Sequence, residues 1–189
     1  MPGNADRVLL CDPRMPTLYA MHFDSAIGQL TLASSEQGLA YLALPRANGR
    51  GFAGWCRTHA QYDEIKQDEG ANRLAVEQVS EFLAGDRENF DLRLDLRATP
   101  FQLEVYQAVK EIPYGESVAY AEVARRVGRA AAVRAVGAAN GANPIPLVIP
   151  CHRVVASNGQ LQGYAGGLEL KRKLLTMEST SHPAQGALL

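Results

Sequence analysis

Ser117–Asn140 reads SVAYAEVARRVGRAAAVRAVGAAN, and this stretch decides how the second half of the chain folds. Ser117 is placed to open a helix over Val118–Val127, which Gly128 stops. A further helix over Ala130–Ala139 begins within three residues. Two short helices joined so tightly predict a helix-turn-helix. The second helix is made almost entirely of Ala, Val and Gly, with Arg134 as its one charged residue.

Outward from this pair the signals stay helical. Thr99-Pro100-Phe101-Gln102 has an N-cap, a proline for the first helical position and a capping-box glutamine. The helix is expected to run to about Glu111, with Pro113-Tyr114-Gly115 breaking it. A last helix is expected over Glu169–Glu178. Upstream, Thr17–Phe23, Gln29–Ala33 and Leu39–Leu44 read as short strands punctuated by Gly28 and Gly38. Residues 46–58 read as loop, and Ala71–Ala84 as a helix ended by Gly85. Phe90, Leu92, Leu94 and Leu96 alternate with charged residues and predict a half-exposed strand. The expected fold class is α/β (α+β): a small strand-plus-helix domain over 17–97 packed on a mostly helical domain over 98–178. A flexible arm (1–16) and a disordered tail (179–189) flank them.

Composition limits the function classes. Of 189 residues, 47% are hydrophobic and 21% charged, ordinary for a globular chain. No apolar run reaches the ~20 residues of a membrane span, and no signal peptide is evident, so the cytoplasm is expected. Three cysteines, Cys11, Cys56 and Cys151, are too few for a disulfide framework. Cys56 and His59 make only half a zinc site, so an ordinary pair of side chains is the better reading. The net charge of -1 hides an asymmetry: residues 1–96 hold 9 basic and 14 acidic residues, and 97–189 hold 10 and 6. The basic half suits a polyanion, although chance asymmetry of this size remains open.

The chemistry concentrates in Pro150-Cys151-His152-Arg153-Val154. A cation beside a thiol favours the thiolate, whereas apolar burial opposes it. Pro146 and Pro150 argue against a regular central strand. Adjacent Cys and His side chains in an extended segment point to opposite faces, so a bend or an intervening water is required. On these residues alone a buried structural Cys and a nucleophile are both open.

Asn143-Pro144-Ile145-Pro146-Leu147-Val148-Ile149-Pro150-Cys151-His152-Arg153-Val154-Val155 closely resembles the active-site signature of the O6-alkylguanine-DNA alkyltransferases, in particular bacterial single-unit members. The resemblance continues through Arg134–Asn140, Gly163–Gly167 and Leu170–Leu175. It extends more weakly to Ser25–Leu30 and Glu36–Leu39. It implies direct-reversal DNA repair in one turnover, with double-stranded DNA carrying O6-alkylguanine as partner and no cofactor. O4-alkylthymine stays open as a second substrate. It further implies Cys151 as alkyl acceptor, His152 as base through a water, Glu178 orienting His152, and Asn143 holding the turn. Tyr120 would help turn the nucleotide out, Arg134 would fill the gap in the base stack, and Ala135 would lie beside it on the DNA-binding helix. Asn140, Val154, Tyr164 and Ala165 would line the pocket. Arg153 is expected to be structural. Ala165 replaces a serine found in some members, and Asn140 an apolar residue, which leaves the adduct range open. Zinc ligands of some members are not matched, with Ser35 and Ala40 in that region, and Cys11 with His22 does not restore them. A monomer is implied, with cooperativity on DNA left open. Three rivals are a lesion sensor without chemistry, disfavoured by Cys151, a thiol hydrolase, and a plain DNA-binding regulator.

Overall fold

The computed structural model describes residues 17–45, 51–59 and 64–181. The expected arm at 1–16, including Cys11, and residues 182–189 of the expected tail lie outside them.

The three expected strands form and pair antiparallel in sequence order: β1 (Thr17–Ser25), β2 (Gly28–Ser35) and β3 (Gly38–Ala43). A fourth, β4 (Glu64–Gln67), lies parallel to β1 and gives the order β3-β2-β1-β4. The period-2 pattern sorts the sheet's faces. Ala20 opposite Ala33 goes to one face, and Met21 opposite Leu32 and Phe23 opposite Leu30 go to the other. The first face is covered by α1 (Gly51–His59), whose Phe52 and Trp55 rings pack on Tyr41. This corrects the expected loop at 46–58 over residues 51–58, while 46–50 lie outside the described residues: three arginines and three glycines in that stretch hid the helix that places Trp55 on the sheet. The second face packs on α2 (Glu69–Ala84), capped by Asp68 and ended by Gly85 in the left-handed conformation.

Residues 90–94 alternate in exposure as expected, but Asp95 and Arg97 are half-buried like their apolar neighbours, and the segment forms no strand. Residues 90–97 run extended beside β3 and meet it at Leu39, whose N–H donates to the Arg93 carbonyl at 2.8 Å while its carbonyl accepts from Asp95 N–H at 2.9 Å; the Gln78 side chain holds Asp91, and Ser35 donates to the Asp95 carboxylate at 2.7 Å. Gly38 makes this approach possible. It has φ 144, and a Cβ there would lie 2.3 Å from the Arg93 carbonyl oxygen. Gly38→Ala is therefore expected to destabilise the fold by about 2–4 kcal/mol, read as a lower urea midpoint. An unchanged midpoint would mean that the 90–97 segment is not locked in place.

The second half begins with α3 (Pro100–Lys110), whose capping box between Thr99 and Gln102 is formed as expected. The helix pair is shorter than its pattern suggested. Val118–Ala119 is a strand, β5, and α4 starts only at Tyr120 and ends at Arg126. Ala130–Ala132 belong to the turn, with Gly128 at φ 70, so the second helix, α5, spans Val133–Gly141. The β-branched Val118 pairs with Val154 of β6 (Val154–Val155), which removes it from the helix. The last helix, α6 (Leu168–Ser181), runs past its expected end, so residues 179–181 are helical rather than part of a disordered tail.

A single apolar cluster runs through both halves, joining Leu32, Val79 and Phe82 to Val105, Val136, Ile149 and Leu174. Burial on this scale is the main stabilising contribution. A second link is polar: Leu42 N–H of β3 donates to the Pro144 carbonyl at 2.8 Å, which fixes the start of the Cys151 loop against the sheet.

Candidate active site

Cys151-His152-Arg153 forms one 3-10 turn between the Ile145–Ile149 loop and β6. In such a turn, successive side chains splay by about a third of a circle, so Cys151 and His152 do not face each other. The bend expected from Pro146 and Pro150 is thus present, and it excludes a direct thiol–imidazole pair. Asn143 shapes the loop. Its Nδ2 donates to the Ile149 carbonyl at 2.8 Å, and its Oδ1 accepts from Ile145 N–H at 3.0 Å. Leu147 at the loop's apex has φ 76, a strained conformation for leucine that the surrounding burial enforces.

His152 and Glu178 are both fully buried. His152 Nε2 lies 2.7 Å from Glu178 Oε1. Glu178 also accepts from Arg153 Nε at 2.9 Å, from an Arg153 terminal nitrogen at 3.1 Å, and from Gly115 N–H at 3.2 Å. Arg153 donates further to the Ile112 carbonyl at 2.7 Å, which matches its expected structural role. Burial pushes the Glu178 carboxyl up, yet hydrogen bonds and charge from His152 and Arg153 win and hold it below its ordinary value. Burial pushes His152 down against the pull of Glu178, so the imidazole is neutral at physiological pH. A neutral ring that donates from Nε2 to a carboxylate has its lone pair on Nδ1. That Nδ1 is buried and has no protein partner among the described residues. Phe82 of α2 and Tyr164 meet the ring edge-on, at 6.4 and 6.3 Å between centroids.

The Cys151 thiol is 4% exposed. Burial pushes it up to about 11, against the Asn143 side chain, the Lys171 charge and the amides of Cys151 and His152, which pull it down. At neutral pH it is a thiol, and a reaction through sulfur needs a base.

Lys171 is the residue that the sequence reading passed over. It is fully buried on α6. Its Nζ donates to the Val154 carbonyl at 2.7 Å and to the Gln162 carbonyl at 2.8 Å, and it sits 5.9 Å from the Tyr120 ring centre. Burial lowers its pKa to about 8. The spacing of Leu170, Lys171, Leu174 and Leu175 on one helix held the only signal, a lysine within an apolar stripe.

The remaining expected positions divide into two groups. Tyr120, at the start of α4, donates weakly to the Gln162 carbonyl at 3.4 Å, so it stands beside the segment that leads into Tyr164 and Ala165. Asn140 is buried and donates to the Cys151 carbonyl at 3.3 Å. Tyr120, Asn140, Asn143, Val154 and Tyr164 therefore gather around the Cys151 turn. Arg134 and Ala135 do not touch it. They lie on the exposed face of α5 with Ala138 and Gly141, a surface of small side chains around one guanidinium.

Residues 100–180 match the family model described as 6-O-methylguanine DNA methyltransferase, DNA binding domain. A methylated-DNA–protein-cysteine methyltransferase of Mycobacterium tuberculosis is 44% identical over 161 residues, covering 85% of this chain and 92% of that protein. One from Methanosarcina acetivorans is 39% identical, covering 86% and 99%. The crystal structure of Mycobacterium tuberculosis OGT in complex with DNA superposes with a TM-score of 0.76 at 41% identity, covering 88% of this chain and 96% of that one. An O6-methylguanine-DNA methyltransferase from Pyrococcus kodakaraensis gives a TM-score of 0.57 at 25% identity, covering 85% and 98%. With relatives this similar over 85% or more of the chain and the fold shared, this protein belongs to the methylated-DNA–protein-cysteine methyltransferases.

Proposed function

We propose that the protein repairs DNA by direct reversal, moving an alkyl group from O6 of guanine to the Sγ of Cys151. The observation that carries this is the pairing of β5 with β6, Val118 on Val154 and Ala119 on Val155. β6 follows the Cys151 turn and β5 runs straight into α4, so this pairing ties the thiol's turn to the helix pair. A base delivered by that pair arrives at the sulfur.

Each residue then has a physical task. A base inside a duplex is out of reach, and turning it out takes a few kcal/mol. Arg134 is on the exposed face of α5, among side chains small enough for close approach to a groove, and it fills the gap in the stack. Ala135 leaves room beside it. Tyr120 turns toward the flipped nucleotide, its hydroxyl only loosely held on Gln162. Tyr164 and Ala165 form the pocket wall, and Asn140 and Val154 border its floor. His152 Nδ1 takes the Cys151 proton through one water, and Glu178 stabilises the charge on the ring. The S–C bond forms as the C–O6 bond breaks, and the electron pair stays on guanine, which takes up one proton. The thioether that results does not turn over. Residues 17–97 act in this reading as the scaffold for the reacting part at 98–178.

No described helix is long and apolar enough to cross a membrane. A reactive thiol is kept reduced in the cytoplasm, where we place the protein.

Intact mass after mixing with a duplex containing O6-methylguanine tests the reading. The expected result is a gain of one methylene on the peptide holding Cys151, with Cys151→Ala unmodified. Tight lesion binding without mass gain in the wild type would replace repair by lesion sensing.

A further inference from the structure

The helix pair holds four arginines, and three of them already sit on carboxylates. Arg125 grips Glu122 with two bonds, from Nε and a terminal nitrogen, both at 2.8 Å. Arg126 donates to the same carboxylate from Nε at 3.0 Å. The geometry follows from helix period, since Glu122 lies three and four residues before them on α4. Arg129, in the turn, reaches Glu104 of α3 at 3.1 Å. Among the described residues no ion pair involves Arg134. Glu122 is held down at about 2, first by the Arg125 bonds and then by Arg126, so it is a carboxylate at any working pH.

We propose that Glu122 competes with DNA phosphate for Arg125 and Arg126, and so lowers the affinity of the helix pair for undamaged duplex. The inference rests on reading α4 and α5 as the DNA-binding surface. A carboxylate and a phosphate present the same forked acceptor to guanidinium, so either can occupy it. The side chain of Arg125 is 71% exposed, and pairs this exposed are weak and exchangeable. A phosphate that displaces Glu122 leaves an unpaired anion beside the DNA backbone. Affinity for undamaged DNA comes almost wholly from phosphate contacts. One carboxylate can therefore depress general binding while leaving Arg134 available for the lesion. A searching protein gains by this, because it spends less time on intact sites.

Binding of the full chain to an undamaged duplex, followed by anisotropy over a salt series, tests the idea. Glu122→Gln is expected to bind about two- to fivefold more tightly at low salt. Its plot of log K against log salt is expected to steepen by about 1, one further phosphate contact. Adding Arg125→Gln should reverse the gain, and Glu122→Asp, which keeps the charge, should stay near wild type. Unchanged or weaker binding by Glu122→Gln, with an unaltered slope, overturns the proposal. Wild-type mass gain on O6-methylguanine duplex is read in parallel. Its failure would remove alkyl transfer, whereas the salt comparison alone decides the role of Glu122.

Discussion

Glu178→Gln is expected to be about 3–5 kcal/mol less stable than wild type and to transfer an alkyl group about 10²–10⁴-fold more slowly. The first effect follows from burial. Glu178 is the only carboxylate recorded on Arg153 among the described residues, and both side chains are out of water. The amide can accept one of the hydrogen bonds, but its NH₂ group must then face a guanidinium or an imidazole N–H. Arg153 is left as a buried cation without its counter-ion. The second effect follows from the tautomer. Without the carboxylate, nothing favours the charged ring that forms when His152 takes a proton, and the proton on Nε2 is no longer fixed. The two effects separate in Glu178→Gln/Arg153→Met, which removes both buried charges. Stability should largely return, as measured by urea unfolding, while single-turnover transfer stays slow. Recovery of rate together with stability would make Glu178 a purely structural anchor. The acid limb gives a further check. The folded pKa of Glu178 is below its ordinary value, so its contribution is full above about pH 4.3 and is lost as pH falls through the folded pKa. Stability of the Gln variant should vary less with pH in that window.

The parts of this site that could be read from sequence are those governed by short-range rules. Thr99-Pro100-Phe101-Gln102 forms its capping box because capping depends on residues three apart, and Gly85 ends α2 because few other residues tolerate its backbone angles. The bend at Cys151 followed from two prolines. Misreadings arose where distant packing decides. Val118 is β-branched and compatible with either state, and its pairing with Val154, 36 residues away, makes it a strand. Residues 90–97 have strand periodicity, but Leu39 offers only one point of attachment. β4 is exposed along its whole length, so Glu64–Gln67 shows no alternation to detect. A helix ending at Glu178, as its sequence suggests, would place an acid at the electrostatically unfavourable end. The helix runs on to Ser181, and the carboxylate points inward to His152 and Arg153. That partner set is spread over Gly115, His152, Arg153 and Glu178, and only the fold assembles it.

Lys171→Met is expected to slow transfer about ten- to a hundredfold while changing stability near neutral pH by no more than about 1–2 kcal/mol. Methionine matches the lysine stem and places no charge in the core, which offsets the loss of two hydrogen bonds. The functional loss has two sources. Lys171 ties the Val154 carbonyl, just after the Cys151 turn, to the Gln162 carbonyl, just before Tyr164 and Ala165. Releasing that tie loosens the pocket wall relative to the sulfur. The cation also lowers the Cys151 thiol against burial, so its removal makes the thiolate scarcer still. Titration separates this from a packing defect. The folded pKa of Lys171 is about 8, lowered by burial from an ordinary 10.5. Between those values the unfolded chain holds the proton and the folded chain has released it. Unfolding free energy therefore rises with pH in that window, by up to about 1.4 kcal/mol per unit. Below pH 8 both states are protonated and the contribution is flat. Wild type should thus gain stability relative to Lys171→Met as pH climbs from 8 to 10.5, and the gap between the two should be constant below 8. A gap that stays constant across the whole range would show that Lys171 keeps an ordinary pKa, and a transfer rate equal to wild type would remove it from the reaction. Arg at the same position is the stricter test of position over charge. It keeps the cation but overfills a site built for an ammonium, so transfer should fall even though the charge is retained.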